Sequence, residues 1–254
     1  MHSTFEGIWL RVRACWRLAR ALLHMLHGLL VILLRFPHLT AEQKQLRVQL
    51  WSQQMLVCIG IRLELAGDTQ VPGPLLLVSN HVSWIDITAL HAARYCRFVS
   101  KADVRAWPLI GALAAGIGTL FIQRESRKDA LRVVQHMERS LRDGDVLAIF
   151  PEGTTSDGVA LLPFHANLLQ AAIAANAPVQ SMAIDYRDEI TGQRSLAPCY
   201  VGNDTLMVSV WRSLRAQSLS VKISLGPVQR SQGRDRRAWA ADLKNQIEKM
   251  RNLP

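Results

Sequence analysis

Cysteine is scarce in this 254-residue chain and widely scattered along it. The four cysteines are Cys15, Cys58, Cys96 and Cys199, and no two of them form a C-x-x-C pair. This spacing predicts neither a zinc site nor a disulfide framework. Scattered free thiols suit a reducing compartment.

Acidic residues are also under-represented, because 20 Asp and Glu face 30 Lys and Arg. The formal net charge is +10 and the isoelectric point is about 10.1. Such a basic balance predicts a polyanionic partner, for which nucleic acid and an anionic membrane surface are the two candidate classes. The length is sufficient to bury a substantial hydrophobic core.

The N-terminal region contains an uncharged run at 21–34 that is too short for a straight membrane span. Four arginines precede it, namely Arg11, Arg13, Arg17 and Arg20. A span needs ~20 apolar residues, although the preceding turns lengthen the run if their arginines reach the interface. We therefore favour an in-plane anchor or a re-entrant helix over a crossing.

Two other interpretations of the same run are less favoured. A signal peptide is disfavoured because no small-residue cleavage site follows Leu34. Metal binding by His24 and His27 is disfavoured because histidines inside such a run are expected at the interface or against a neighbouring helix.

The remaining pattern predicts an α/β fold with a mixed sheet flanked by helices. Thr40 and Gln43 form a predicted capping box for a helix to Ile59, for which we favour ordinary core packing. From Arg62 onwards strands and helices alternate. We expect a membrane-associating helical segment at 1–59 and an α/β domain at 60–254.

The stretch Ser79–Asp86 follows directly on a predicted buried strand, Pro74–Val78. His81 and Asp86 are five positions apart and cannot share one face of a continuous helix, so they can meet only across a bend. Ser83 and Asp86 predict a capping box that opens a helix after the bend. A carboxylate bonded to one imidazole nitrogen raises the basicity of the other, as a general base requires.

The pair alone leaves two interpretations open, a catalytic dyad or a capping acid beside a turn histidine. Two later stretches, Gly118–Arg124 and Phe150–Ser156, also lie at the ends of predicted strands. Open α/β sheets bind their ligands at the carboxyl ends of strands. This convergence favours an active site.

The three stretches NHVSWID, GTLFIQR and FPEGTTS resemble, in order and spacing, the first three sequence blocks of the glycerolipid acyltransferases. The resemblance extends over about 75–184, and the family includes the bacterial 1-acyl-glycerol-3-phosphate acyltransferases. It implies acyl transfer from acyl-CoA or acyl-carrier protein to the sn-2 hydroxyl of lysophosphatidic acid, which gives phosphatidic acid. It also implies a lysophospholipid acceptor and a membrane phospholipid surface as partners, with no nucleic acid.

The same resemblance implies an inner-membrane enzyme whose active site faces the cytoplasm and which needs no metal or bound cofactor. Its catalytic residues are His81, as base, and Asp86. In the family the arginine of the second block, here Arg124, helps to hold the acceptor's phosphate. The implied substrate-binding residues are Asn80, Lys101, Arg124, Phe150, Pro151, Glu152, Gly153 and Thr154.

The chain departs from the family pattern at three places. Thr155 stands where an arginine is common, so either a phosphate-binding cation is missing or Lys101, Arg105 or Arg127 supplies it. The segment 163–167 lacks the usual lysine-glycine pair, and Pro178 comes early in the fourth block. These differences leave the acceptor open to another lysolipid, such as lyso-ornithine lipid.

Two other classes of function remain as alternatives. A hydrolase with Ser83 as nucleophile is disfavoured because no G-x-S-x-G elbow surrounds that residue. A non-catalytic module that binds membranes or nucleic acid explains the basic charge but leaves the three motifs without a role.

Overall fold

The computed structural model describes residues 2–123 and 127–252, and its centre is a seven-stranded sheet in the order β1-β7-β6-β2-β5-β3-β4. The strands are β1 (Ile61–Ala66), β2 (Leu75–Ser79), β3 (Arg97–Lys101), β4 (Leu120–Ile122), β5 (Val146–Ile149), β6 (Val179–Asp188) and β7 (Leu219–Gln229). The helices are α1 (His2–Leu34), α2 (Ala41–Ile59), α3 (Ile85–Ala93), α4 (Ile110–Gly116), α5 (Arg127–Arg142), α6 (Leu169–Ala174), α7 (Leu206–Arg215) and α8 (Arg236–Arg251).

The sheet is mixed, as predicted. β6 and β7 pair antiparallel, whereas β2 pairs parallel with both β5 and β6. β1 pairs parallel with β7, so these two strands run against the others. The carboxyl ends of β2 and β5 therefore lie side by side at one edge of the sheet, where two of the predicted motifs begin.

Helices cover the sheet on both sides, and each side has its own hydrophobic core. The first face is covered by α1, α2, α3 and α7, whose buried side chains pack with those of β6 and β7. The second face is covered by α5, α6 and α8. Along β2 the alternation is strict, since Leu75 and Leu77 join the first core while Leu76 and Val78 join the second.

α2 begins and ends where its sequence predicts. The backbone N–H of Thr40 donates to Gln43 Oε1 at 3.0 Å and that of Gln43 donates to Thr40 Oγ1 at 3.3 Å, which confirms the capping box. Gly60 closes the helix in the left-handed region with φ 75°. Met55 and Leu56 are buried in the first core, as ordinary core packing requires. The division into domains at 59 and 60 falls between α2 and β1 and stays a prediction.

α1 is one continuous helix of 33 residues, about 50 Å long at about 1.5 Å per residue. Gly7–Leu34 is long and apolar enough to cross a membrane by length and composition. The uncharged run is thus the second half of a longer helix. Among the side chains of α1 that the structure describes, from Gly7 onwards, ten large apolar ones are exposed, namely Ile8, Trp9, Val12, Trp16, Leu22, Leu23, Leu26, Leu30, Leu33 and Leu34.

Two of the four N-terminal arginines bind other parts of the protein. Arg13 donates to the backbone carbonyls of Arg215 and Ala216, both at 3.0 Å. Arg17 donates to the carbonyl of Ala216 at 2.8 Å and its guanidinium lies against Gly60. Since these carbonyls end α7, the two arginines hold α1 against the negative end of that helix.

Close packing joins α1 to α2 and to α4. His24 Nε2 and the carbonyl oxygen of Trp51 are 2.9 Å apart, and the rings of the two residues stack. A Cβ on Gly28 would lie 2.5 Å from Trp51 Nε1. His24 therefore contacts a neighbouring helix, as expected. A Cβ on Gly116 would lie 2.6 Å from Ile32 Cγ2, so this small residue of α4 permits close helix packing.

Candidate active site

The turn between β2 and α3 brings His81 and Asp86 together. His81 Nδ1 and Asp86 Oδ2 are 2.8 Å apart, so the predicted contact across the bend is present. The Asp86 side chain is fully buried, whereas that of His81 is 18% exposed. The dyad thus has a buried carboxylate and an accessible imidazole at the carboxyl edge of the sheet.

Asp86 holds the turn as well as the ring. Its Oδ2 also accepts the backbone N–H groups of Val82 at 2.7 Å and Ser83 at 2.9 Å. Only this half of the predicted capping box forms, because Ser83 Oγ accepts from the backbone N–H of Ile85 instead of that of Asp86. The two interpretations of Asp86, turn stabiliser and histidine partner, therefore hold at the same time.

Tyr186 is a member of the site that sequence reasoning missed. Its hydroxyl, near the carboxyl end of β6, donates to Asp86 Oδ1 at 2.6 Å. Burial raises the pKa of Tyr186 well above its ordinary value, and the charge of Asp86 acts in the same direction. The phenol stays protonated and remains a donor. The available signal was a tyrosine inside a buried strand, where a hydroxyl needs a partner.

The imidazole ring of His81 lies flat on Phe150. The ring centroids are 4.0 Å apart with an interplanar angle of 8°, and Phe150 stacks in turn on Phe98. Because Nδ1 donates to the carboxylate of Asp86, Nε2 is the basic nitrogen. Nε2 of His81 has no hydrogen-bond partner among the described residues. This nitrogen is therefore free to accept a proton.

Glu152 fixes the backbone of His81. Its Oε1 accepts the N–H of His81 at 2.8 Å and its Oε2 accepts the N–H of Leu162 at 2.9 Å. Burial raises the pKa of Glu152, while these two hydrogen bonds and the charges of His81 and Arg251 oppose the rise. Glu152 thus ties the third motif to the first in the way a turn acid does.

The sequence of this chain is similar to those of known proteins. An acyltransferase family model matches residues 62–185. The lyso-ornithine lipid O-acyltransferase of Pseudomonas aeruginosa is 40% identical over 73% of this chain and 70% of its own length. The chain belongs to the acyltransferase family. The resemblance predicted from the three motifs is confirmed.

Other relatives of this acyltransferase are named for a different acceptor. The 1-acyl-sn-glycerol-3-phosphate acyltransferase of Neisseria gonorrhoeae is 37% identical over 66% of this chain and 66% of its own length. The 1-acyl-sn-glycerophosphate acyltransferase PlsC of Thermotoga maritima has a similar structure, with a TM-score of 0.63 over 94% of this chain and 99% of its own. At 17% identity that likeness shows the fold alone.

Asn80 of the acyltransferase lies behind the dyad. Its side chain is fully buried, with Nδ2 donating to the carbonyl of Ile184 at 3.0 Å and Oδ1 accepting the N–H of Ile184 at 2.7 Å. Both ends of the amide are therefore used to join the turn to β6. These bonds give Asn80 a positioning role, and its predicted substrate contact stays a prediction.

The third motif wraps around the histidine. Gly153 has φ 73°, and a Cβ there would lie 3.2 Å from Cδ2 of His165, so the bend favours glycine. The N–H of Ser156 donates to the carbonyl of His81 at 2.9 Å. Pro151 is buried, whereas Thr154 is exposed. Thr154 is thus the better placed of the two for the predicted substrate contact.

The predicted phosphate-binding cations are only partly described. Lys101 is exposed at the end of β3, and the Arg105 guanidinium lies 5.8 Å from the ring centroid of Phe121. Arg124 lies outside the described residues, as does the side chain of Arg127. Thr155, in the position of the family arginine, donates its hydroxyl to the carbonyl of Tyr200.

Proposed function

We propose that this acyltransferase moves a fatty acyl group from acyl-CoA or acyl-carrier protein to the sn-2 hydroxyl of lysophosphatidic acid. The product is phosphatidic acid. The observation that carries the proposal is the His81–Asp86 contact of 2.8 Å, which leaves Nε2 of His81 open at the carboxyl edge of the sheet. The names of the Neisseria relatives support this acceptor.

The dyad acts as a general base. Nε2 of His81 removes the proton of the acceptor hydroxyl while its oxygen attacks the thioester carbonyl. The carbon–sulfur bond then breaks, and the leaving sulfur takes the proton from the imidazolium, which releases the free thiol and returns His81 to its neutral form. Asp86 stabilises that imidazolium, and a well-placed base contributes about 10²–10⁴-fold in rate. The thioester is already activated, so the proposed reaction needs neither a metal nor a bound cofactor.

The surface of the first face supports a membrane location. The exposed apolar side chains of α1 form a surface of the kind that contacts lipid, and both acceptor and product are amphiphiles. We therefore propose that the enzyme lies at the inner membrane with His81 facing the cytoplasm.

The test is acyl transfer by detergent-solubilised protein supplied with an acyl thioester and lysophosphatidic acid. We expect the wild type to form phosphatidic acid and His81→Ala to lose about 10²–10⁴-fold in kcat/KM. His136→Ala is the matched control, because His136 is exposed on α5, on the second face of the sheet. Transfer that does not depend on His81 would overturn the proposed mechanism.

A second acceptor is favoured by one specific observation. Thr155 replaces the family arginine, and its hydroxyl is bound to the carbonyl of Tyr200. The relative from Pseudomonas aeruginosa is named for lyso-ornithine lipid, which lacks the phosphate that such an arginine would hold. An assay in which the two lysolipids compete for the enzyme distinguishes these acceptors. If lyso-ornithine lipid is preferred and its acylation also depends on His81, the proposed mechanism holds and the proposed acceptor is wrong.

A further inference from the structure

A groove separate from the active site runs between α1 and α7. It has a volume of about 680 Å³. Its apolar lining comes from Leu10, Met207, Val208 and Trp211, and Arg212 and Arg215 also line it. Met207 is 69% exposed and Val208 49%, so the apolar lining is open to the outside.

The two helices that form the groove are fixed to each other. Arg13 donates to the carbonyls of Arg215 and Ala216, and Arg17 to those of Leu214 and Ala216, at 2.8–3.0 Å. These bonds neutralise the negative end of α7. These hydrogen bonds therefore fix the relative position of the two walls of the groove.

The charge at the groove is positive. The sequence of α7, LMVSVWRSLR, contains no acidic residue. Arg212 pairs with Asp204 at 2.9 Å, which offsets its charge. Arg215 has no ion pair among the described residues, and its Nε is buried without a hydrogen-bond partner. An anionic group at Arg215 would complement this charge.

Arg13, which is bonded to the carbonyl of Arg215 beside the groove, links the groove to exposed side chains of α1. Trp9 and Val12, which flank Leu10 on that helix, are 59% and 62% exposed. The ring of Trp9 carries the Arg13 guanidinium at 4.6 Å from its centroid. Tryptophan beside arginine is typical of the boundary between hydrocarbon and headgroups. The groove therefore opens where a bilayer surface would meet α1.

We propose that the α1–α7 groove binds one anionic phospholipid of the bilayer, with an acyl chain on the apolar lining and the headgroup phosphate at Arg215. The inference rests on the membrane location proposed above. The bound lipid seats the N-terminal half of α1 at the interface. It makes α7 a second point of membrane attachment, far along the chain from the first.

The test is lipid binding by the full-length protein in detergent, measured by native mass spectrometry with phosphatidylglycerol or phosphatidylcholine. We expect tighter binding of phosphatidylglycerol. Arg215→Gln should weaken it by about fivefold, the effect of one basic residue at an anionic surface. Met207→Glu should abolish binding of both lipids, because it places a charge on the apolar lining.

Matched controls lie away from the groove. Arg132→Gln and Ile190→Glu change side chains that are 71% and 73% exposed, and both should bind phosphatidylglycerol as the wild type does. Equal binding of the two lipids by the wild type, or unchanged binding by Arg215→Gln and Met207→Glu, would overturn the inference.

Acyl transfer to lysophosphatidic acid in micelles separates this inference from the proposed function. We expect the groove variants to retain that activity. A wild type that transfers acyl groups but binds the two lipids equally refutes the groove alone. A wild type that prefers phosphatidylglycerol but transfers no acyl group refutes the proposed reaction alone.

Discussion

The two faces of the sheet bury similar kinds of side chain but differ in what they present outwards. On the first face, the exposed large apolar side chains among the described residues are ten of α1, three of α2 and two of α7. On the second face, Leu131 is the one large apolar side chain exposed among the described residues of α5, α6 and α8. The difference teaches that one fold has a surface suited to water on one side and to lipid on the other.

The two faces of the sheet also support different parts of the active site. The ring of His81 is oriented from the first core, through Asp86 of α3 and Tyr186 of β6. Its backbone is held through Glu152 and Leu162, beside Leu161 of the second core. Orientation of the base and support of its turn thus come from opposite sides of the sheet.

The largest expected effect tests the orienting side. Asp86→Asn should lower kcat/KM by about 10²–10⁴-fold, because an amide cannot hold His81 in the basic tautomer as a carboxylate does. Kinetics with saturating thioester measure it, with Asp242→Asn on α8 as the control. A loss below tenfold would show that Asp86 is only a turn stabiliser.

The next effect concerns a buried histidine of the first face. Neither ring nitrogen of His91 has a hydrogen-bond partner in the part of the chain that the structure describes, and burial lowers the pKa of His91 to about 4. The unfolded chain binds this proton at higher pH, so the protein should lose about 3 kcal/mol of stability between about pH 6.5 and pH 4, as each pKa unit is worth about 1.4 kcal/mol.

His91→Leu should flatten this part of the pH dependence. Urea unfolding near pH 7 and near pH 4.5 measures the slope. His136→Leu, on an exposed position of the second face, should keep the wild-type slope. An unchanged slope in His91→Leu would assign the acid sensitivity to other groups.

The third prediction tests the supporting side. Glu152→Gln leaves either the N–H of His81 or that of Leu162 without its acceptor, at a cost of about 1–3 kcal/mol. We expect a lower unfolding temperature and a reduced kcat with little change in KM. A raised KM at unchanged stability would instead show that Glu152 contacts the acceptor.

The smallest effect compares two glycines of α1. Gly28→Ala places a Cβ 2.5 Å from Trp51 Nε1, whose ring is fixed by stacking on His24. Overpacking outweighs the gain in helix propensity, so we expect a net loss of about 1 kcal/mol. Gly7→Ala meets nothing within 4 Å and should stabilise slightly. Thermal unfolding in detergent measures both, and equal shifts would argue against a tight α1–α2 contact.

Local features of the fold and site were predictable from the sequence. The capping box at Thr40 and the meeting of His81 with Asp86 across a bend depend on residues a few positions apart, whose geometry the backbone dictates. The order of motifs at strand ends followed from the alternation of elements. The parts that depend on distant pairing were not predictable.

Tyr186 illustrates the limit. It lies 100 residues after Asp86, and only the pairing of β6 beside β2 brings its hydroxyl to the carboxylate. Asn80 and Glu152 were found as motif residues, but their hydrogen bonds to the backbone of Ile184 and Leu162 depend on segments that the motifs do not include. Sequence spacing identifies such polar residues without showing whether they face substrate or the interior.

The hydrogen bonds from Arg13 to the end of α7 also determine how early α1 can pack against α7 during synthesis. The guanidinium and the carbonyl of Arg215 belong to residues 202 positions apart. At about 5–20 residues per second, on the order of 10–40 s pass between the emergence of the two from the ribosome. Throughout that interval the nascent α1 lacks α7. A bilayer near the exit tunnel therefore has access to its apolar side chains before the last helices exist to compete for them.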